Sequence, residues 1–186
     1  MATYFTSDLH HKHKKILNFT ERNKVTDVEN HTDWLVSVWN SRVKPGDTVY
    51  HLGDISFSNR YLQLSQFVSR LNGDIYLIKG NHDNPQFMKQ LLKDKLIVWY
   101  GDYKEIVINQ VKTVLFHYPI SSWRAMHYGS YHLFGHCHGN FNPPGKSIDV
   151  GLDSVYNLFG EYKVLSENEI DEFLKEREIN AVDHHT

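Results

Sequence analysis

Short runs of apolar and β-branched residues punctuate this chain: Tyr4-Phe5-Thr6, Thr48-Val49-Tyr50, Ile75-Tyr76-Leu77-Ile78, Leu96-Ile97-Val98-Trp99, Glu105-Ile106-Val107-Ile108, Val114-Leu115-Phe116 and His132-Leu133-Phe134. Each has the length of a buried strand. Between several of them the period lengthens. Leu35, Val38, Trp39 and Val43 recur at helical spacing, as do Tyr61, Leu64, Val68 and Leu71, which predicts amphipathic helices over about 28–43 and 58–71. Ser166 followed by Glu169 is a capping box and predicts a helix running to about Arg177. From Leu96 to Phe116 three apolar runs are separated only by Gly101-Asp102 and Asn109-Gln110, a spacing that predicts antiparallel hairpins. The pattern is that of an α/β chain with mixed sheets.

Composition narrows the class. With 186 residues and 40% apolar side chains the chain can bury one full core, and no repeat or linker divides it, so a single domain over 1–186 is expected, with a flexible tail from about 179. Twenty basic against 22 acidic side chains leave a formal charge of -2, which gives no general pull toward nucleic acid or membrane. The apolar runs are too short to span a bilayer. One cysteine, Cys137, and an amino terminus without secretory features predict a reducing, cytoplasmic setting. The 13 histidines are the unusual feature, because imidazole is the commonest protein metal ligand.

Their placement is informative. Predicted strands are followed by Asp8-Leu9-His10, Gly53-Asp54, Gly80-Asn81-His82-Asp83, His117 and Gly135-His136-Cys137-His138. In open α/β sheets sites form beyond the carboxyl ends of strands, so these distant clusters can share one crevice. Two carboxylates, one amide oxygen and several imidazoles suit Mn²⁺, Fe²⁺, Zn²⁺ or Ni²⁺ better than Ca²⁺. They are too many for one tetrahedral ion and enough for two. Two dications about 3.5–4 Å apart need an anion between them, and Asp54, in the middle of the series, is the candidate bridge. Two dications against the carboxylates of Asp8 and Asp54 keep about +2, a charge that favours a phosphate ester and an ionised water.

The motifs D-x-H, G-D, G-N-H-D, a lone H and G-H-x-H, in this order over residues 4 to about 153, resemble the calcineurin-like metallophosphoesterase superfamily. The resemblance implies a four-layer αββα sandwich with two mixed sheets. It also implies that Asp8, His10, Asp54 and His138 hold one ion, most expectedly Mn²⁺, and that Asp54, Asn81, His117 and His136 hold the other. A bridging hydroxide then attacks phosphorus, and His82 stabilises the transition state and protonates the leaving oxygen, with Asp83 orienting it. His117-Tyr118-Pro119, Trp123-Arg124 and Asp149-Val150-Gly151-Leu152-Asp153 resemble a small prokaryotic and phage-type branch. Lys12 and Asp149 depart from that branch's usual glycine and neutral residue.

The implied activity is hydrolysis of phosphate mono- or diesters, with a small phosphoester or a nucleotide as substrate. A metal-dependent nuclease and an inert interaction scaffold of the same fold are the alternatives. The net charge argues against long DNA, and an inert relative would be expected to lose a ligand or His82, neither of which is missing here. His13, three residues after His10, and Asp149 are candidate substrate contacts; Arg124 reads equally as a phosphate clamp or a solvated side chain. His11, His31, His51, His127, His132, His184 and His185 read as structural or solvated. The stretch Gly139 to Ser147 is no P-loop, since two prolines remove amide donors and no helix is expected after it. Cys137 reads as a packing residue, and Trp34, Trp39, Tyr61 and Phe67 as core.

Overall fold

The computed structural model describes residues 1–141 and 143–179. The tail expected to be flexible lies, from 180 on, outside the described residues, as do His184 and His185. Two sheets form the framework. In the first, β1 (Thr3–Thr6), β2 (Thr48–His51), β3 (Asp74–Ile78) and β4 (Trp99–Gly101) run parallel, and β9 (Leu165–Ser166) adds antiparallel to β1. In the second, β5 (Tyr103–Ile108) pairs antiparallel with β6 (Val111–Phe116), and β7 (Tyr131–Phe134) and β8 (Ser147–Asp149) continue parallel. Both sheets are mixed.

The apolar runs are two-sided because the first sheet is covered on both faces. Val49, Ile75 and Leu77 point into one core with Leu35, Trp39, Leu64, Phe67, Met88 and Leu91, which come from α2 (His31–Arg42), α3 (Tyr61–Val68) and α4 (Pro85–Lys93). Phe5, Leu52 and Ile78 point the other way, against Leu115, Leu133 and Ile148 of the second sheet, with Val155 of α5 (Leu152–Phe159) and Ile170 and Leu174 of α6 (Glu167–Lys175) completing this inner core. The outer face of the second sheet is closed by Ile120, Trp123 and Met126 over Val114. The αββα sandwich is therefore built, with its fourth layer thinned to the short turn Met126–Tyr128.

The segment 96–116 does not make two hairpins. Leu96 and Ile97 pack in the helical core, and β4 joins the first sheet parallel to β3, with Tyr76 opposite Trp99. Gly101-Asp102 carries the chain from one sheet to the other. Only β5–β6 is a hairpin, and its Asn109-Gln110 loop has positive φ at both residues, 44° and 71°, as a two-residue turn of matching twist requires. Three helices escaped the apolar periodicity: the single turn α1 (Ile16–Phe19), α4 and α5. Asn84 caps α4, accepting the Gln86 amide at 2.9 Å, and Pro85 opens it. The Ser166–Glu169 capping box forms as expected. Ser166→Ala should lower unfolding free energy by about 1 kcal/mol, read from the denaturant midpoint, with an unchanged α6 in the circular dichroism spectrum of the folded state.

Candidate metal centre

Asp8 and His10 follow β1, Asp54 follows β2, Asn81 follows β3, His117 follows β6, and His136 and His138 follow β7. The parallel strands thus deliver all seven side chains to one place. His10 Nε2 lies 3.1 Å from His138 Nε2, and Asp8 Oδ1 lies 3.6 Å from the first and 3.9 Å from the second. On the other side Asn81 Oδ1 lies 2.9 Å from both His117 Nε2 and His136 Nδ1. Asp54 stands between the groups, its Oδ2 at 3.9 Å from His10 Nε2 and 3.8 Å from His117 Nε2.

The hydrogen-bond partners decide what these atoms present to one another. His117 Nδ1 donates to the Leu52 carbonyl at 2.7 Å, and His138 Nδ1 donates to Asp153 Oδ2 at 2.7 Å, so each ring turns the lone pair of Nε2 inward. Asp8 Oδ1 is buried with no hydrogen-bond partner among the described residues. Carboxylate oxygens, an amide oxygen and imidazole lone pairs therefore face each other at 2.9–3.9 Å with too few protons to pair them. Positive charge is what such a cluster accepts, and the donor set fits divalent ions. Burial pushes His10 below the ordinary imidazole value. At Asp8 burial works upward, but His10, His138 and His117 outweigh it and hold the carboxyl well below the usual range.

The loops that carry these groups are strained and tightly packed. Asp8, His10, Asp54, His136 and His138 all have positive φ, at 56°, 53°, 58°, 71° and 48°. Non-glycine residues enter this region at a cost, and runs of them gather at functional sites. Lys12, the departure from a usual glycine, also has positive φ, 64°, which is why glycine suits that position. At Gly80 a Cβ would strike the Asp54 carboxylate, and at Gly135 it would strike Ser7 Oγ and Asp8 Oδ2. The glycines of the motifs let the backbone of one loop lie against the ligands of another.

Other expected site residues fall differently. Asp83 does not meet the His82 ring. Its carboxylate accepts the amides of Asp54, Ile55 and Gly80 at 2.9, 3.0 and 2.8 Å, so it fixes the two ligand loops to each other, and burial pushes its carboxyl up to about 6. Asp149 is likewise turned inward. It accepts the Gly139 and Gly151 amides at 2.9 and 2.8 Å, a fixed place in the fold rather than a substrate contact. Arg124 pairs with Glu105 of β5 at 2.6 Å, which favours the solvated reading. His82 stays half exposed at the rim, with Nε2 4.0 Å from Asp54 Oδ2 and its amide on Asp54 Oδ1 at 2.8 Å.

His13 does lie at the crevice, stacked on Phe57 at 3.9 Å and 7°, and Phe57 also carries the His82 ring at 4.2 Å. Phe57 went unnoticed in the sequence; its only signal is its place three residues after Asp54. Asp153 and Arg22, considered below, were missed too. His11 hydrogen-bonds Ser56 Oγ at 2.9 Å and stacks on Phe67, and His31, His51 and His132 are buried, all in structural places. Gly135→Ala should displace Asp8 and lower the Mn²⁺ retained after gel filtration, by elemental analysis, below that of the parent protein; full retention would show that the close approach at Gly135 is dispensable.

Known proteins resemble this chain over most of its length. An uncharacterized protein of Methanocaldococcus jannaschii is 30% identical over 161 residues, covering 82% of each chain. The structure of an Aquifex aeolicus protein of unknown function superposes with a TM-score of 0.67 at 25% identity, over 92% of this chain and 98% of that one. A structure described as a novel archaeal phosphodiesterase shares the fold at a TM-score of 0.52 and 20% identity, over 89% and 99%. Residues 1–186 match the family described as calcineurin-like phosphoesterase, and the chain belongs to that family.

Proposed function

We propose that the protein is a dinuclear metal-dependent phosphoesterase that hydrolyses small phosphate mono- or diesters. The observation that carries this is the position of Asp54 Oδ2, within 3.9 Å of a ligand nitrogen in each of two converging groups. In this reading Asp8, His10, Asp54 and His138 hold one ion, and Asp54, Asn81, His117 and His136 the other; Mn²⁺ is the expected occupant. When bound, the ions supply positive charge for the phosphoryl oxygens and acidify a water.

The chain's own residues supply the rest. His82, at the open rim and 4.0 Å from Asp54, is placed to meet the leaving oxygen of an ester held at the centre and to give it a proton. Phe57 packs against that ring at 4.2 Å and stacks on His13 at 3.9 Å, which keeps His13 beside the same approach. A pocket of about 190 Å³ beside His138, bordered by Phe19, Tyr156, Asn157 and Tyr162, suits a small organic substituent such as a nucleoside.

A nuclease acting on long polymers is less well supported, since the formal charge is -2. The scaffold reading is disfavoured by an intact donor set. No helix of the described residues is long and apolar enough to cross a membrane. A cytoplasmic setting is part of the proposal and rests on the lone free Cys137.

Mn²⁺-loaded protein should hydrolyse bis-p-nitrophenyl phosphate or p-nitrophenyl phosphate. His82→Ala should lower kcat by about 10² to 10⁴ with both metal equivalents retained. Asp54→Asn should lower metal content by removing the shared charge. Absence of turnover with every divalent ion on both esters would favour the scaffold, and two full equivalents in Asp54→Asn would remove Asp54 as the bridge.

A further inference from the structure

Arg22 is fully buried in the single turn Glu21–Lys24. A guanidinium out of water is tolerated only when its donors are satisfied. Here they are. Nε and one terminal nitrogen form a two-pronged pair with Asp153 Oδ1 and Oδ2, both at 2.8 Å. The same terminal nitrogen donates to the Asp8 carbonyl at 2.7 Å, and the other donates to the Leu9 carbonyl at 2.8 Å and lies 3.4 Å from His31 Nε2.

These partners belong to the two halves of one candidate metal site. The carbonyls of Asp8 and Leu9 are the backbone of the loop that presents Asp8 and His10. Asp153, at the start of α5, receives the Nδ1 proton of His138 on the same oxygen that Arg22 grips. A single buried cation thus sets the distance between Asp8 and His10 on one side and His138 on the other. The loops need such a brace, because Asp8, His10 and His138 all sit at positive φ. The second group is oriented by other partners: His117 by the Leu52 carbonyl, and Asn81 and His136 by each other, with the His136 amide on Asp8 Oδ2 at 2.9 Å as the backbone link between the groups.

We infer that Arg22 and Asp153 are positioning residues that assemble the Asp8–His10–His138 metal site and leave the Asn81–His117–His136 site essentially untouched. The inference rests on the dinuclear reading above. Asp153 fixes the His138 ring with its Nε2 lone pair facing inward, and Arg22 holds Asp153 and the β1 loop in register. Removing the pair therefore weakens this site selectively. Loss of a partner of this kind costs about ten- to hundredfold in metal affinity.

The test uses Mn²⁺ titration by calorimetry and the metal retained against a graded chelator. Two variants are needed, since Asp153→Ala alone strands a buried guanidinium. Asp153→Asn keeps the shape, and Arg22→Met/Asp153→Leu removes both charges together, an exchange that buried ion pairs often tolerate without loss of stability. The expected result is two binding events in the parent. In the variants one event should weaken, modestly in Asp153→Asn and by about ten- to hundredfold in the double variant, while the other keeps the parent's affinity. His138→Ala should lose the same event, which assigns it. A double variant that folds and binds two ions as the parent does would overturn the positioning role alone, as would equal weakening of both events. A parent that binds no Mn²⁺ would overturn the dinuclear reading and this inference with it.

Discussion

Lone pairs with too few protons are crowded beyond the carboxyl ends of β1, β2, β3, β6 and β7, and the rest of the molecule is arranged around keeping them there. Asp8, His10 and His117 are buried and His138 nearly so; His117 Nδ1 and His138 Nδ1 are committed to Leu52 and Asp153, while Asp8 Oδ1 and His10 Nδ1 have no hydrogen-bond partner among the described residues. In water such groups would separate and hydrate. Inside the protein their mutual repulsion stands unless positive charge offsets it, and the donor set fits divalent ions.

Holding the cluster together falls to groups that do no chemistry. Asp83 ties the Asp54 and Gly80 backbones, Asp149 ties Gly139 to Gly151, and Ser7 donates to Asp8 Oδ2 at 2.6 Å. Buried carboxylates that accept only backbone amides are costly to install, as the raised values of Asp83 and Asp149, about 6 and about 7, express. They are used where a loop must keep an unfavourable φ. Arg22 and Asp153 extend the same device to a pair of loops that the sheets alone would leave independent.

The arrangement also separates rigid from adaptable parts. The candidate ligands sit on strand ends backed by two packed cores, whereas Phe57 at the rim stacks on His13 and meets the tilted ring of His82. In the proposed function, phosphate capture belongs to the first and ester selection to the second, together with the pocket beside His138. A small substituent fits that geometry better than a polymer that would need a long basic track.

Much of this was legible in residue order. The seven candidate ligands, which the structure brings to one place, stand out as motifs, and the mixed α/β class and the α6 capping box follow from periodicity and spacing, because metal chemistry demands particular side chains and parallel strands demand uninterrupted apolar runs. The sequence could not reveal that Leu96–Gly101 closes the first sheet instead of a hairpin, since strand pairing is decided by which neighbour buries Ile97 and Trp99. Nor could it assign Asp83, Asp149 or Arg124. A carboxylate turned toward buried amides and one turned toward a substrate have the same letter in the sequence, and a guanidinium at the surface has the same letter as Arg22 in the core. Such roles depend on contacts between segments distant in sequence, 19 residues from Arg124 to Glu105, 29 from Asp54 to Asp83 and 131 from Arg22 to Asp153, which only the packed sheets establish.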